Sequence, residues 1–269
     1  MIKRSILRRL SGSITPLTSA LIFSFLSVSL CCVPRSDAQQ DADGPVALVF
    51  TYKAMLGKRA AFRELMATQG IEQFERWKAA GDFDNYQALF SAYAASDSPD
   101  LFVVFRFRHF SDLGRWQVIE HRYPGGLIEA AQPLASVETS ATADIVSESS
   151  IHAPTTSSQY VVLEYDVTAP MPKYVSYVQG YVAPQFEGWM KAGILSTYAC
   201  FTNQNPAGAA WSGFIVLQYK DLASLAARET VKDKTRVMLA TTDPVWKRWS
   251  EDKSNIRKEK LTIPAVALP

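Results

Sequence analysis

Residues 74–81 read FERWKAAG, and residues 186–193 read FEGWMKAG. Phe, Glu, Trp, Ala and Gly recur at five of the eight positions, 112 residues apart. At the same spacing Tyr86 answers Tyr198, and 102–107 (FVVFRF) answers 214–219 (FIVLQY). One structural unit is written twice. Each octapeptide ends on glycine, Gly81 or Gly193, where the end of a helix favours a residue free to take positive φ.

Outward from the first octapeptide, a single copy spans 44–150. Residues 46–52 (VALVFTY) are β-rich and apolar on both faces, as in a central strand. A helix is expected over 57–80, its stripe of Phe62, Leu65, Met66, Phe74 and Trp77 interrupted around Gln69-Gly70. Strands follow over 82–93 and 101–108, joined by the turn-rich AASDSPD. A second helix begins near Ser111-Asp112 with the stripe Leu113, Trp116, Ile119 and Tyr123, and 136–148 holds a last strand. The order βαββαβ is the split βαβ, or ferredoxin-like, unit.

The polar stretch 151–158 (IHAPTTSS) reads as a linker to a second copy over 159–269. That copy offers strands at 160–167, 194–202, 211–220 and 255–263. Its first helix covers 171–192, where Pro184 is expected to kink or unwind it. Asp221 suits the N-cap of its second helix, and Asp243-Pro244 starts a further short one. A lone four-stranded sheet under two helices leaves one apolar face bare, at about 25 cal/mol per Å². A second copy in the same chain covers it. The expected fold class is α+β, with two tandem ferredoxin-like repeats packed sheet to sheet within one chain and no need of a partner chain.

Residues 1–38 read as an export signal. Lys3, Arg4, Arg8 and Arg9 precede a mostly apolar run from 17 to 33, and Ser36-Asp37-Ala38 supplies small residues for cleavage after Ala38. A retained anchor is the competing reading, although the run is short for a bilayer span. Lipid attachment at Cys31 or Cys32 is opposed by the preceding Leu30. Arg8-Arg9 hints at a twin-arginine signal in poorly fitting flanks. Cleavage removes five basic residues (Lys3, Arg4, Arg8, Arg9, Arg35) and Asp37, leaving 23 basic against 25 acidic, a net charge of −2. A chain so balanced lacks the basic face that nucleic acid requires. Cys200 alone then remains of three cysteines, so no intrachain disulfide forms. An exported protein without stable membrane insertion is expected.

On the third strands Phe102, Val104 and Arg106 share one face, matched by Phe214, Val216 and Gln218. The first strands offer Thr51 and Glu164. Arg106, Glu164 and Gln218 are therefore expected to face the space between the sheets, with Arg106 and Glu164 coupled across it. The recurring Tyr86 and Tyr198 are candidates for the same cavity, or else for a shared core role. Trp77 and Trp189 read as packing. His109, His121 and His152 are isolated, and His121 lies far from the apolar stripe of its helix. No Cys/His/Asp/Glu set has metal spacing, and there is neither a phosphate loop nor a serine elbow. No cofactor is expected.

The doubled βαββαβ layout resembles the dimeric α/β-barrel superfamily over nearly the whole chain after the signal. That resemblance implies that the two ferredoxin-like units form an intrachain pseudo-dimeric α/β barrel. It offers a range of activities, from cofactor-free monooxygenases of the antibiotic-biosynthesis type to haem-degrading and chlorite-dismutase-like haem proteins, without choosing among them. The residues themselves favour a small, partly apolar ligand bound between the sheets. A cofactor-independent monooxygenase-like enzyme and a non-catalytic interaction module are the alternatives.

Overall fold

The computed structural model describes residues 43–269. The expected signal segment lies outside the described residues. Eight strands close into a barrel: β1 (Val46–Ala54), β2 (Asn85–Ser91), β3 (Leu101–Phe107), β4 (Ala135–Ser150), β5 (Gln159–Val167), β6 (Leu195–Asn203), β7 (Gly213–Tyr219) and β8 (Arg257–Ala267). Around the barrel the order is β1-β3-β2-β8-β5-β7-β6-β4. Every neighbouring pair is antiparallel, so β1 and β5 run the same way. The two groups of strands join edge to edge, through β2–β8 on one side and β4–β6 on the other.

Alternation along the strands sorts side chains into three cores. Ala47, Val49, Phe102, Val104, Tyr160, Val162, Phe201, Phe214 and Val216 fill the barrel interior. Leu48, Phe50, Val103 and Phe105 face outward under the helices of the first half, where Phe74, Trp77 and Trp116 cover them. Leu163, Tyr165, Ile215 and Leu217 do the same under Phe186, Trp189 and Trp246. The two recurring tryptophans, Trp77 and Trp189, are thus packing residues.

Among the described residues eight α-helices cover the outside: α1 (Arg59–Leu65), α2 (Ile71–Ala80), α3 (Leu113–Arg122), α4 (Met171–Tyr177), α5 (Ala183–Lys191), α6 (Leu222–Ala226), α7 (Arg228–Thr242) and α8 (Pro244–Ile256). Both α2 and α5 run into a positive-φ glycine, Gly81 at 80° and Gly193 at 75°. Asp221 caps α6 by accepting from the Ser224 N–H, and Asp243 caps α8 by accepting from Val245 and Trp246. The helix expected to be short after Asp243 is 13 residues long, so the closing strand starts at Arg257.

The helix that holds Pro184 is locally unwound as expected, in a turn that ends two residues before the proline. A π-helical turn over Val178–Val182 joins α4 to α5, and an equivalent turn over Met66–Gly70 joins α1 to α2, where Glu72 stands in place of the proline. The wider turn loosens the i→i−4 ladder. In the second half the Tyr181 carbonyl accepts from the Trp246 indole N–H at 2.9 Å, which ties α8 onto the turn.

Candidate functional site

Inward-facing residues become polar toward one end of the barrel, where a cleft of about 740 Å³ opens. Arg106 lies opposite Ala47 near the start of β1, and Gln218 lies opposite Tyr160 near the start of β5. Because β1 and β5 are parallel, Arg106 and Gln218 reach the same mouth. Both line the cleft, together with Asn85, Gln87, Glu148, Tyr160, Thr197, Ala199 and Val216. Gln218 is buried and its amide donates toward the Ser158 hydroxyl at 3.5 Å. Thr197 and Ser150 share a hydrogen bond at 2.9 Å. Burial raises the Tyr160 hydroxyl pKa.

The Arg106 guanidinium pairs with the Glu148 carboxylate and lies over the Phe201 ring, 5.4 Å from its centroid. The expected Arg106–Glu164 coupling is therefore corrected. Glu164 faces Phe214 and Leu261, four residues beyond Tyr160 along β5, or roughly 13 Å of strand at ~3.3 Å per residue. It points into the barrel as expected, but at the opposite end from Arg106.

Burial pushes the Glu164 carboxyl up to about 7. Lys260 opposes the shift, while Glu138 and Asp166 add to it. Glu138 and Lys260 are the extra residues of two β-bulges, where the register slips between Thr51 and Tyr52 on β1 and between Glu164 and Tyr165 on β5. Thr51, the counterpart of Glu164, shares a 2.8 Å hydrogen bond with Thr139.

Tyr86 and Tyr198 border the cleft, but their rings point the other way. Tyr86 is opposite Phe105 and Tyr198 opposite Leu217, both outward-facing positions. The Tyr86 ring packs against Phe74 and Phe83 and its hydroxyl donates to Glu75 at 2.7 Å. Tyr198 packs on Phe186, with its hydroxyl 3.3 Å from that of Ser147. They belong to the outer cores, and the cavity role expected for them is corrected to packing.

Glu148 and Tyr160 escaped the sequence reading for different reasons. Tyr160 alternates in phase with Glu164 and was open to detection. Glu148 lies on a 16-residue strand whose register slips twice, at Thr51/Tyr52 against β1 and at Ile145/Ser147 against β6. Counted from the inward run Ala141, Ala143 and Ile145, Glu148 falls on the wrong face, because the second slip intervenes.

No sequence family matches the chain, and no curated protein does. Solved structures match in fold. One, from Fusobacterium nucleatum and described as a candidate monooxygenase, shares 12% identity at a TM-score of 0.53, covering 84% of this chain and 94% of that one. A second candidate monooxygenase, from Lactobacillus acidophilus, shares 10% at 0.51, over 84% and 95%. An anthrone oxidase-like protein shares 10% at 0.52, over 86% and 93%. The fold is that of the dimeric α/β barrels. At such identities the likeness extends to the fold and no further. Some members of that fold class hold haem. Here His109, His121 and His152 are all exposed, His121 lines a cavity of about 390 Å³ with Leu48, Phe50, Trp116 and Glu120, and residues 159–269 contain no histidine. Among the described residues no helix is long and apolar enough to cross a membrane.

Proposed function

We propose that this protein is exported and holds a small, partly apolar molecule in the cleft at the Arg106 end of the barrel. The observation that carries the reading is the make-up of the lining. Val216, Ala199 and Ala267 offer an apolar floor, and Asn85, Gln87, Arg106, Tyr160 and Gln218 offer a few hydrogen-bonding groups above it. Small-molecule sites combine apolar contact with placed polar groups. With Asp84, Glu148, Ser149, Ser150 and Thr197 this lining is about half polar, which suits a ligand that is itself only partly apolar. Native mass spectrometry of protein recovered from its own host, beside an Ala199→Trp variant that fills the floor, tests it. A retained mass lost in the variant supports the reading. A mass kept by the variant puts the ligand elsewhere.

We read the barrel as two tandem ferredoxin-like units closed within one chain. Support comes from features that recur at matched positions: the octapeptides, the π turns, the positive-φ glycines, and the bulges after Thr51 and Glu164. A monomer in sedimentation is the expected state, because the second unit stands where a partner chain would. A tight dimer speaks against it.

The second reading is a cofactor-independent monooxygenase-like enzyme, favoured by the descriptions of two fold neighbours. Oxygen uptake with phenolic or quinol substrates, abolished by Ala199→Trp, separates it from simple binding.

A further inference from the structure

Three charged residues line the cleft: Asp84, Arg106 and Glu148. Asp84 is committed to Arg108, which bonds it from the rim at 2.6–2.7 Å. That leaves one cation and one carboxylate facing the space, paired with each other. Their situations differ. The Arg106 side chain is 25% exposed and stacks over Phe201, while the Glu148 side chain is 47% exposed. Glu148 thus rotates into water at little cost, since a half-exposed pair is weakly held. Arg106 cannot follow it without leaving the ring and the strand face that hold it.

We propose that the cleft takes an apolar molecule carrying one anionic group, a carboxylate or sulfonate, and that this group displaces Glu148 from the Arg106 guanidinium. The inference rests on the cleft being a binding site. Glu148 is a resident counter-ion that keeps the guanidinium compensated. Two oxygens of a carboxylate or a sulfonate can accept from the same N–H groups, and a guanidinium fork matches that pair. The amides of Gln87 and Gln218 and the Tyr160 hydroxyl stand around the cleft to bond the remaining oxygens, and Val216 and Ala199 meet the apolar body. A cationic ligand fits less well. To reach Glu148 it would have to evict Arg106, the more buried and better held of the pair.

Two naphthalene dyes separate the contributions. 1-Anilinonaphthalene-8-sulfonate carries the anion, and N-phenyl-1-naphthylamine is its neutral analogue. Fluorescence titration of the purified protein gives both affinities. Removing the competitor by Glu148→Gln should tighten the sulfonate by about tenfold and leave the neutral dye unchanged. Arg106→Met should weaken the sulfonate by about tenfold or more, again sparing the neutral dye. Should the methionine variant fail to fold, Glu148→Gln decides alone. Sulfonate binding that is unchanged or weaker in Glu148→Gln overturns the inference. If Ala199→Trp still abolishes neutral-dye binding in that case, the cleft stands and only the anion is wrong. If both dyes bind Ala199→Trp as well as the parent, the cleft reading itself falls.

Discussion

Replacing Glu164 by Gln removes a carboxyl that the barrel interior holds against its tendency to ionise. The side chain is buried, and the folded protein raises its pKa from 4.5 to about 7. The folded state therefore keeps a proton that the unfolded chain releases. Its contribution to stability is complete below pH 4.5, declines as pH rises, and is gone once pH passes about 7. A shift of that size corresponds to roughly 3 kcal/mol at 1.36 kcal/mol per unit. Gln keeps the shape and lacks the charge. Urea unfolding at steps from pH 4.5 to pH 8 should give a parent curve that falls with pH and a Glu164→Gln curve that is flatter. The variant should become the more stable protein above neutrality, by up to about 3 kcal/mol, and match or slightly trail the parent at pH 4.5. Two parallel curves would refute the reasoning, because the carboxylate would then ionise in the folded protein without penalty.

Asp100 is buried and accepts from the Ala54 N–H at 3.1 Å and from Arg59 Nε at 2.7 Å, with Lys53 3.6 Å away. Asp100→Ala should cost about 3 kcal/mol in denaturant unfolding, with Arg59 left without its partner. Gly81→Ala and Gly193→Ala should each cost about 1 kcal/mol, and by similar amounts, because an added Cβ meets no close contact at either site and only the positive φ is strained. Cys200 is fully buried and burial pushes its thiol up to about 12, so it should ignore a thiol reagent in the native state and react only on unfolding.

Much of the barrel is legible in the residues. The alternation of 102–107 and of 214–219 assigns Phe102, Val104 and Arg106, and their counterparts, to one face, and the interior core follows from it. Alternation along one strand fixes the face but not the height, which depends on pairing with neighbours and on strand direction. Arg106 and Glu164 therefore look coupled in sequence and stand at opposite ends in space. Tyr86 and Tyr198 leave both a cavity role and a core role open in sequence, and their outward direction appears only once Phe105 and Leu217 are known to lie opposite. Pro184 marks the π turn beside it, whereas Met66–Gly70 makes the same turn without a proline to announce it. Glu148 is hidden by the register slip between Ile145 and Ser147 in β4. Residues that extend a strand without changing its composition leave no trace in periodicity.

The two joints of the barrel differ in length. β4 and β6 pair through seven residue pairs, whereas β2 and β8 meet through three, Leu89–Ala267, Phe90–Val266 and Ser91–Ala265. β8 is also made after the other seven strands. Until it docks, β2 has a free edge and β5 lacks one neighbour, both beside large apolar side chains. An unpaired edge of that kind recruits other chains. The interval before β8 closes the barrel is therefore when this protein is most exposed to misassembly. Truncation within 257–267 should make that transient state permanent and show as aggregation rather than as a loosened monomer.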